Sequence, residues 1–137
     1  MQAQGVTRTL IIAGLMIAGS LLIRHAAAGD VEQLLFLVID KDEIIASNTR
    51  LGRFDRLDMS AKEKIIEYKT ASAVAVVVTN QRFAAYAVFP GSWHSRRVQA
   101  GEQLESLEVA DYSATLVTTD RILNFYGRSG NWSETKR

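Results

Sequence analysis

The feature that most constrains the fold of this chain is an internal repeat with a period of about 40 residues. Three segments align, and they begin at Leu37, Val77 and Leu116. A valine stands second in each segment, at Val38, Val78 and Val117, and the second interval between these valines is one position shorter than the first. Such a period is typical of folds that stack one small supersecondary unit several times.

The second and third copies share residues at fixed offsets. Each has valine-threonine, an arginine four residues after the valine, an aromatic residue eight after it, and a closing glycine-x-tryptophan. In the second copy these are Val78, Thr79, Arg82, Tyr86, Gly91 and Trp93, and in the third they are Val117, Thr118, Arg121, Phe125, Gly130 and Trp132. The first copy is degenerate, with Asp42 for the arginine, Ala46 for the aromatic residue, and Gly52-x-Phe54 after one inserted residue.

The second copy predicts four short strands separated by turn residues. The predicted strands are Val74–Thr79, Phe83–Phe89, Trp93–Val98 and Leu104–Val109. The first is almost continuously apolar and rich in valine, which favours a strand buried on both faces. Four strands in about 40 residues match the size of a propeller blade, with the valine strand innermost. The predicted fold class is therefore all-β, with three four-stranded repeats.

Three blades do not close a ring, because propellers typically need four to eight. One solution is a homodimer, in which two halves make a six-bladed propeller. The third copy ends after its third predicted strand, so Gly29–Gln33 are a candidate for the fourth, within one chain or from a partner. A β-trefoil, which also has three repeats of this length, is the alternative. An open sheet completed by a different partner is a third solution.

The recurring pattern V-T-x-x-R-x-x-x-(Y/F) followed by G-x-W resembles the blade repeats of bacterial propeller-like proteins. The resemblance covers most of residues 34–137. It implies a propeller-like architecture and no particular activity, because such folds host many unrelated functions.

The N-terminal residues predict a targeting segment that directs the chain to export or to a membrane. Residues 9–23 are an uncharged, mostly apolar run that follows Arg8, and Ala26–Ala28 supply small residues at its exit. These features are typical of a signal peptide over residues 1–28, cleaved after Ala28. The alternative is a retained N-terminal hydrophobic helix that anchors the chain in a membrane. In both cases the domain over residues 29–137 is expected outside the cytoplasm, either periplasmic or anchored to the membrane.

Composition excludes several function classes. The net charge is only +1, which provides no electrostatic surface for nucleic acid. The chain lacks cysteine and has only two histidines, His25 and His94. Neither a thiolate site nor a histidine metal cluster follows from these residues. His94 lies near Ser92 and Ser95, but residues adjacent in a strand point to opposite faces. The sequence therefore predicts no enzyme, no metal site and no cofactor.

The recurring arginines and tryptophans are the candidate site residues, namely Arg82, Arg121, Trp93 and Trp132. In a structural role, each guanidinium bonds turn carbonyls or a carboxylate such as Glu63 or Glu102. In a functional role, they bind an anion or a sugar. The predicted function is a non-catalytic assembly module, as a homodimer or with other protein subunits of a membrane complex. The alternative is a periplasmic or secreted ligand-binding domain.

Overall fold

The computed structural model describes residues 32–137. The predicted leader, signal peptide or anchor over residues 1–28 lies outside this range, as do residues 29–31 of the candidate strand. The described residues form eleven strands, namely β1 Leu35–Ile39, β2 Glu43–Asn48, β3 Arg53–Asp58, β4 Ile65–Thr70, β5 Val74–Thr79, β6 Arg82–Ala87, β7 Ser92–Arg97, β8 Leu104–Val109, β9 Ser113–Thr118, β10 Arg121–Tyr126 and β11 Asn131–Lys136. Between Glu32 and Arg137 there is no helix with the length and apolar character to cross a membrane.

The strands form three antiparallel sheets, each a meander of consecutive strands. The first sheet contains β1, β2 and β3, the second contains β4 to β7, and the third contains β8 to β11. The all-β, repeated architecture predicted from the sequence is confirmed for these residues. Completion as a propeller by dimerisation, or as a trefoil, stays a prediction.

The grouping of strands differs from the predicted blade. Leu104–Val109, expected as the last strand of the second copy, pairs with β9 and is the first strand of the third sheet. The third sheet therefore has four strands from its own chain, and the expectation that its fourth comes from elsewhere is wrong. The valine strand β5 is also not at the edge of its sheet, because β4 covers that position.

Strand register makes the period of the repeat uniform. The hairpins close at the equivalent pairs Ile39–Ile44, Val78–Phe83 and Val117–Ile122, which are evenly spaced along the chain. The first copy therefore contains no inserted residue. The equivalent residues in its first part lie one position later in the chain than the sequence alignment indicated. Glu43, and not Asp42, corresponds to the recurring arginines, and Ser47, and not Ala46, corresponds to the aromatic residue.

The second sheet lies between the other two and is buried on both faces. Every residue of β5 is buried, which confirms the prediction for the valine strand. Alternate residues of β5 face opposite sides, because strand side chains alternate. Ala75 and Val77 pack in clusters with residues of the first sheet, and Val74 and Val76 pack with residues of the third. We call these two interfaces the first junction and the second junction.

Main-chain hydrogen bonds repeat between adjacent sheets as well. The Leu34 amide donates to the Ser72 carbonyl at 2.9 Å, and the Ala73 amide donates to the Asp111 carbonyl at 3.1 Å. Both bonds join the residues that precede equivalent strands. The repeat therefore fixes how neighbouring sheets lie against each other, as well as the folding of each sheet.

Candidate functional site

Arg82 and Arg121 each pair with a buried glutamate from the loop that precedes their own sheet. Arg82 Nε donates to Glu63 Oε2 at 2.8 Å, and Arg121 Nε donates to Glu102 Oε2 at 2.8 Å. A threonine completes each group: Thr79 and Thr118 donate their hydroxyls to the same carboxylates at 2.6 Å. These contacts match the structural role considered for the two arginines, and their binding of a ligand stays a prediction.

The same guanidinium groups cross the junctions. Arg82 Nη2 donates to the Asp58 carbonyl at the end of β3. Arg121 Nη2 donates to the Arg97 carbonyl at the end of β7, at 2.8 Å. Each arginine therefore ties its own sheet to the last strand of the preceding sheet, through charge-assisted bonds that are stronger than neutral ones.

Trp93 and Trp132 make the equivalent crossing from the neighbouring strand. Trp93 Nε1 donates to the Asp55 carbonyl at 3.2 Å, and Trp132 Nε1 donates to the His94 carbonyl at 3.1 Å. Each indole also packs on the aromatic residue of its own copy, Tyr86 at 5.3 Å or Phe125 at 5.0 Å between ring centroids. The structure places both tryptophans at junctions, and their predicted binding of a ligand stays a prediction.

The two glutamates remain charged in these surroundings. Burial alone raises the pKa of Glu63 and of Glu102. Hydrogen bonds from the arginines and threonines outweigh burial, and the pKa of each carboxyl lies below its ordinary value of 4.5. Both ion pairs therefore persist at neutral pH.

The arginines differ in one contact. Arg121 Nη1 donates to the Glu134 carboxylate at 2.9 Å, so both terminal nitrogens are bonded. Ser95 occupies the equivalent position in the second sheet, and no hydrogen bond reaches Arg82 Nη1 from residues 32–137. The Arg82 side chain is 25% exposed, against 6% for Arg121. Arg82 therefore keeps a free donor beside solvent.

A cavity of about 730 Å³ opens beside Arg82. It lies between the end of β3 and strands β6 and β7, and is lined by Asp58, Ser60, Glu63, Gln81, Arg82, Ser95, Arg97 and Val98. Apart from Val98, all of its lining side chains are polar or charged. Two features of the sequence point to this site. The arginine recurs, and Ser95 stands in the second copy where the third copy has the carboxylate of Glu134.

Tyr86 anchors a polar cluster at the first junction that sequence reasoning missed. Asn48 Nδ2 donates to the Tyr86 hydroxyl at 3.0 Å, and that hydroxyl donates to the Asp55 carboxylate. Burial, together with the bond to Asp55, raises the pKa of Tyr86 to about 12. The phenol is therefore held in its neutral form, as a structural hydrogen-bond donor.

His94 is half-buried at the second junction, although a lone histidine on a predicted half-exposed strand is expected to be a solvated surface residue. Its Nε2 lies 2.8 Å from the Ser92 hydroxyl, because residues two apart in a strand share a face. The ring packs on Phe125 at 5.9 Å. Within residues 32–137 no carboxylate bonds this histidine, so the group that would orient it as a base for a serine nucleophile is missing there.

The outer face of the first sheet carries four apolar side chains. We use this name for the residues that point away from the second sheet, namely Phe36, Val38, Glu43, Ile45, Ser47, Phe54, Arg56 and Asp58. Its apolar members are Phe36, Val38, Ile45 and Phe54, and Arg56 pairs with Glu43 on the same face. Phe36, Val38 and Phe54 are 53%, 51% and 68% exposed. The equivalents of Val38 in the other sheets, Val77 and Leu116, are fully buried against a preceding sheet.

A glycine position shows the same contrast. Gly52, Gly91 and Gly130 occupy equivalent turns with positive φ. A Cβ on Gly91 would come within 2.6 Å of the Arg53 side chain, and one on Gly130 within 2.5 Å of His94. A Cβ on Gly52 would meet nothing within 4 Å in the described structure. The first sheet thus presents a junction-type face that no part of residues 32–137 covers.

The outer face of the third sheet is polar. Ser113, Thr115 and Asn124 stand where the second sheet has Val74, Val76 and Ala85. Thr115 and Asn124 bond each other across β9 and β10 at 2.9 Å. A polar outer face is typical of a terminal repeat that ends a stack.

The chain matches no known protein-family model, no characterised protein and no solved structure at a significant level. In the part of the chain that the structure describes, no group of three histidine or acidic side chains has the geometry to hold a metal ion. The function of residues 32–137 is therefore inferred from the two junctions, the cavity beside Arg82 and the outer faces of the first and third sheets.

Proposed function

We propose that residues 32–137 are a non-catalytic interaction module that acts outside the cytoplasm and assembles with another protein subunit. The binding surface is the outer face of the first sheet. The signal peptide or membrane anchor predicted over residues 1–28 supports a location outside the cytoplasm. An anchor together with a subunit-binding surface supports an accessory role in a membrane complex.

The observation that carries this proposal is the exposure of a face that is buried at the other two equivalent positions. Phe54 is 68% exposed, whereas Trp93 and Trp132 are covered by a preceding sheet. Contiguous apolar surface of this kind marks protein interaction sites. The covering element at both junctions is the apolar face of a β-sheet, so a partner sheet with an apolar face is the expected occupant.

The chemistry of the two outer faces favours a different subunit over a head-to-tail homodimer. In a six-bladed ring of two copies, the first sheet of each copy packs on the third sheet of the other. That arrangement would place Phe36 and Val38 against the polar face that contains Ser113, Thr115 and Asn124. Thr115 and Asn124 use only part of their hydrogen-bonding capacity on each other, and burying the remaining polar atoms without partners costs free energy. A dimer remains the alternative form of assembly.

The edge of the first sheet supports the same surface. Strands β5 and β9 are interior strands, but their equivalent β1 is an edge strand in the structure from Glu32 onward. Tyr68 on β4 is exposed, while the equivalent Leu107 on β8 is buried in the second junction. A partner that adds a strand to β1 would use its unpaired main-chain groups and would also cover Tyr68.

The experiment is extraction of the full chain in mild detergent followed by native mass measurement of the particle. We expect one copy of this chain bound to a different subunit at fixed stoichiometry. Phe54→Glu should abolish that complex, because it places a charge within an apolar part of the interface. Tyr126→Glu is the matched control, since Tyr126 is 49% exposed on the outer face of the third sheet.

A mass of one protomer, or a complex that survives Phe54→Glu and dissociates with Tyr126→Glu, would overturn the proposal. A mass of two protomers would replace it with homodimerisation.

The second candidate function is ligand binding, and the cavity beside Arg82 favours it. Sugar or anion binding by the tryptophans alone has less support, because both indole N–H groups are already bonded inside the chain.

A further inference from the structure

Two arginines built on one plan differ in whether their last donor is used. The guanidinium group of each arginine donates to a glutamate and to a main-chain carbonyl of the preceding sheet. The main-chain amide of each arginine donates to the hydroxyl of the threonine three residues earlier. Only Arg121 has a second carboxylate, from Glu134. Arg82 has none within residues 32–137, because Ser95 is too short and carries no charge.

The unused donor faces a space of suitable size. Nη1 is the terminal nitrogen that Glu63 and Asp58 leave free, and the Arg82 and Ser95 side chains both line the cavity of about 730 Å³. Arg97, the cross-strand neighbour of Arg82, also lines it and makes no salt bridge with the residues the structure describes. The cavity therefore offers two guanidinium groups with donors available on one side.

We infer that this cavity binds a carboxylate group, which takes the place beside Arg82 that Glu134 occupies beside Arg121. The carboxylate accepts from Arg82 Nη1 and from the Arg97 guanidinium, with the Ser95 hydroxyl as a further donor. Arginine suits a planar carboxylate because its N–H groups lie in one plane. This inference is independent of the proposed partner face, since it depends on the first junction alone.

Charge selects a carboxylate over a doubly charged anion. Glu63 lines the cavity and pairs with Arg82, so Arg97 is the lining guanidinium that has no carboxylate partner among the described residues. A singly charged group balances that excess charge, whereas phosphate brings a second negative charge near Glu63. Asp58 contributes its main-chain carbonyl, because strand alternation directs its side chain to the outer face of the first sheet. The carboxylate belongs either to a small free acid or to an acidic side chain of a peptide, and the two probes below distinguish these sources.

The test follows the Arg82 Nε–Hε resonance of the full chain by NMR during titration. The probes are propionate, a capped pentapeptide with one central glutamate, and the same peptide with glutamine. We expect saturable shifts with propionate or with the glutamate peptide, and at least about tenfold weaker binding of the glutamine peptide. Stronger binding of the glutamate peptide identifies a protein source, and stronger binding of propionate identifies a small acid.

The matched variants exchange the two environments. Ser95→Glu supplies the missing carboxylate from within the chain and should weaken binding about tenfold or more, while Ser95→Gln should retain it within about twofold. Glu134→Ser frees Arg121 Nη1 on an exposed strand and should create a second site, seen as shifts of the Arg121 resonance. The Glu134→Ser arm keeps the test decisive if Ser95→Glu does not fold.

Three results would overturn the inference. They are the absence of a saturable shift with every probe, binding by Ser95→Glu equal to that of wild type, or equal affinity for the glutamate and glutamine peptides. Tighter binding of inorganic phosphate than of propionate would also contradict the selection for a single charge.

Discussion

The first and second junctions use the same bonds, yet the arginine of the first is partly open to solvent and the arginine of the second is buried. At both junctions an arginine and a tryptophan donate to carbonyls of the preceding sheet. At the second junction Glu134 bonds the remaining nitrogen of Arg121, and at the first junction a cavity lies beside Arg82. The repeat therefore specifies how sheets attach, whereas single departures from it leave donors and surfaces unused.

The largest expected effect comes from removing one charge of the closed pair. Glu102→Gln should lower the free energy of unfolding by about 3 kcal/mol, because it leaves the buried Arg121 without its main carboxylate. Glu63→Gln should cost about 1–2 kcal/mol, because water reaches Arg82. Urea unfolding measures both, with Glu105→Gln as an exposed control expected within about 0.5 kcal/mol. Equal losses of unfolding free energy in Glu102→Gln and Glu63→Gln would show that the different solvent exposure of Arg82 and Arg121 has no energetic consequence.

Acid should weaken both junctions. The pKa of Glu63 and of Glu102 lies below the ordinary 4.5, so folding favours their charged forms. That stabilisation is present above pH 4.5 and is lost as the pH falls through the lower folded-state pKa. Unfolding midpoints measured between pH 6 and pH 2 should drop in wild type and drop less in the Glu63→Gln, Glu102→Gln double variant. Parallel curves for the two proteins would contradict this assignment.

Alkali should affect the first junction through Tyr86. Its pKa is raised to about 12, so an unfolded chain ionises this phenol before the folded one does. The stabilisation contributed by the neutral phenol of Tyr86 is therefore fully present below about pH 10, and it is lost as the pH rises from there toward 12. Tyr86→Phe should remove that loss, at a cost near neutral pH of about 1–2 kcal/mol from the unpaired Asn48 and Asp55. An unchanged alkaline profile in Tyr86→Phe would assign the loss to other groups.

The smallest effect should be shared equally by the tryptophans. Trp93→Phe and Trp132→Phe each remove one N–H donor while keeping an aromatic ring, and each should cost about 1 kcal/mol. Thermal unfolding of both variants checks the value. A loss at only one position would show that the equivalent bonds differ in strength.

Much of the fold was predictable because the repeat carries local signals. Val74–Thr79 and Leu104–Val109 have the bounds expected from valine content and turn residues. Their assignment to sheets was less accessible, because pairing depends on which strands meet in space. The alignment of the first copy shifted by one because Leu37-Val38 resembles Leu116-Val117 in sequence, whereas the hairpin register equates Val38 with Leu116.

The candidate site was predictable only in part. The recurrence of Arg82 and Arg121 allowed a structural role in which each guanidinium bonds a carboxylate such as Glu63 or Glu102, but it did not separate that role from anion binding. The tryptophan bonds were not predictable, because they end on carbonyls of a neighbouring sheet and carbonyls leave no sequence signal. The cavity depends on a difference between Ser95 and Glu134. The repeat already aligns these two residues, but only the strand register places them beside the arginines.

The most direct test of the proposed partner surface is photo-crosslinking from the outer face of the first sheet. A benzophenone amino acid replaces Phe54 in one sample and Tyr126 in the other, in the full chain expressed in cells, and mass spectrometry identifies the attached peptides. We expect a crosslink from position 54 to a different protein subunit and none of comparable yield from position 126. Crosslinks from position 54 that reach only residues of the same chain, or that reach the third sheet of a second copy, would contradict binding of a different subunit at this face.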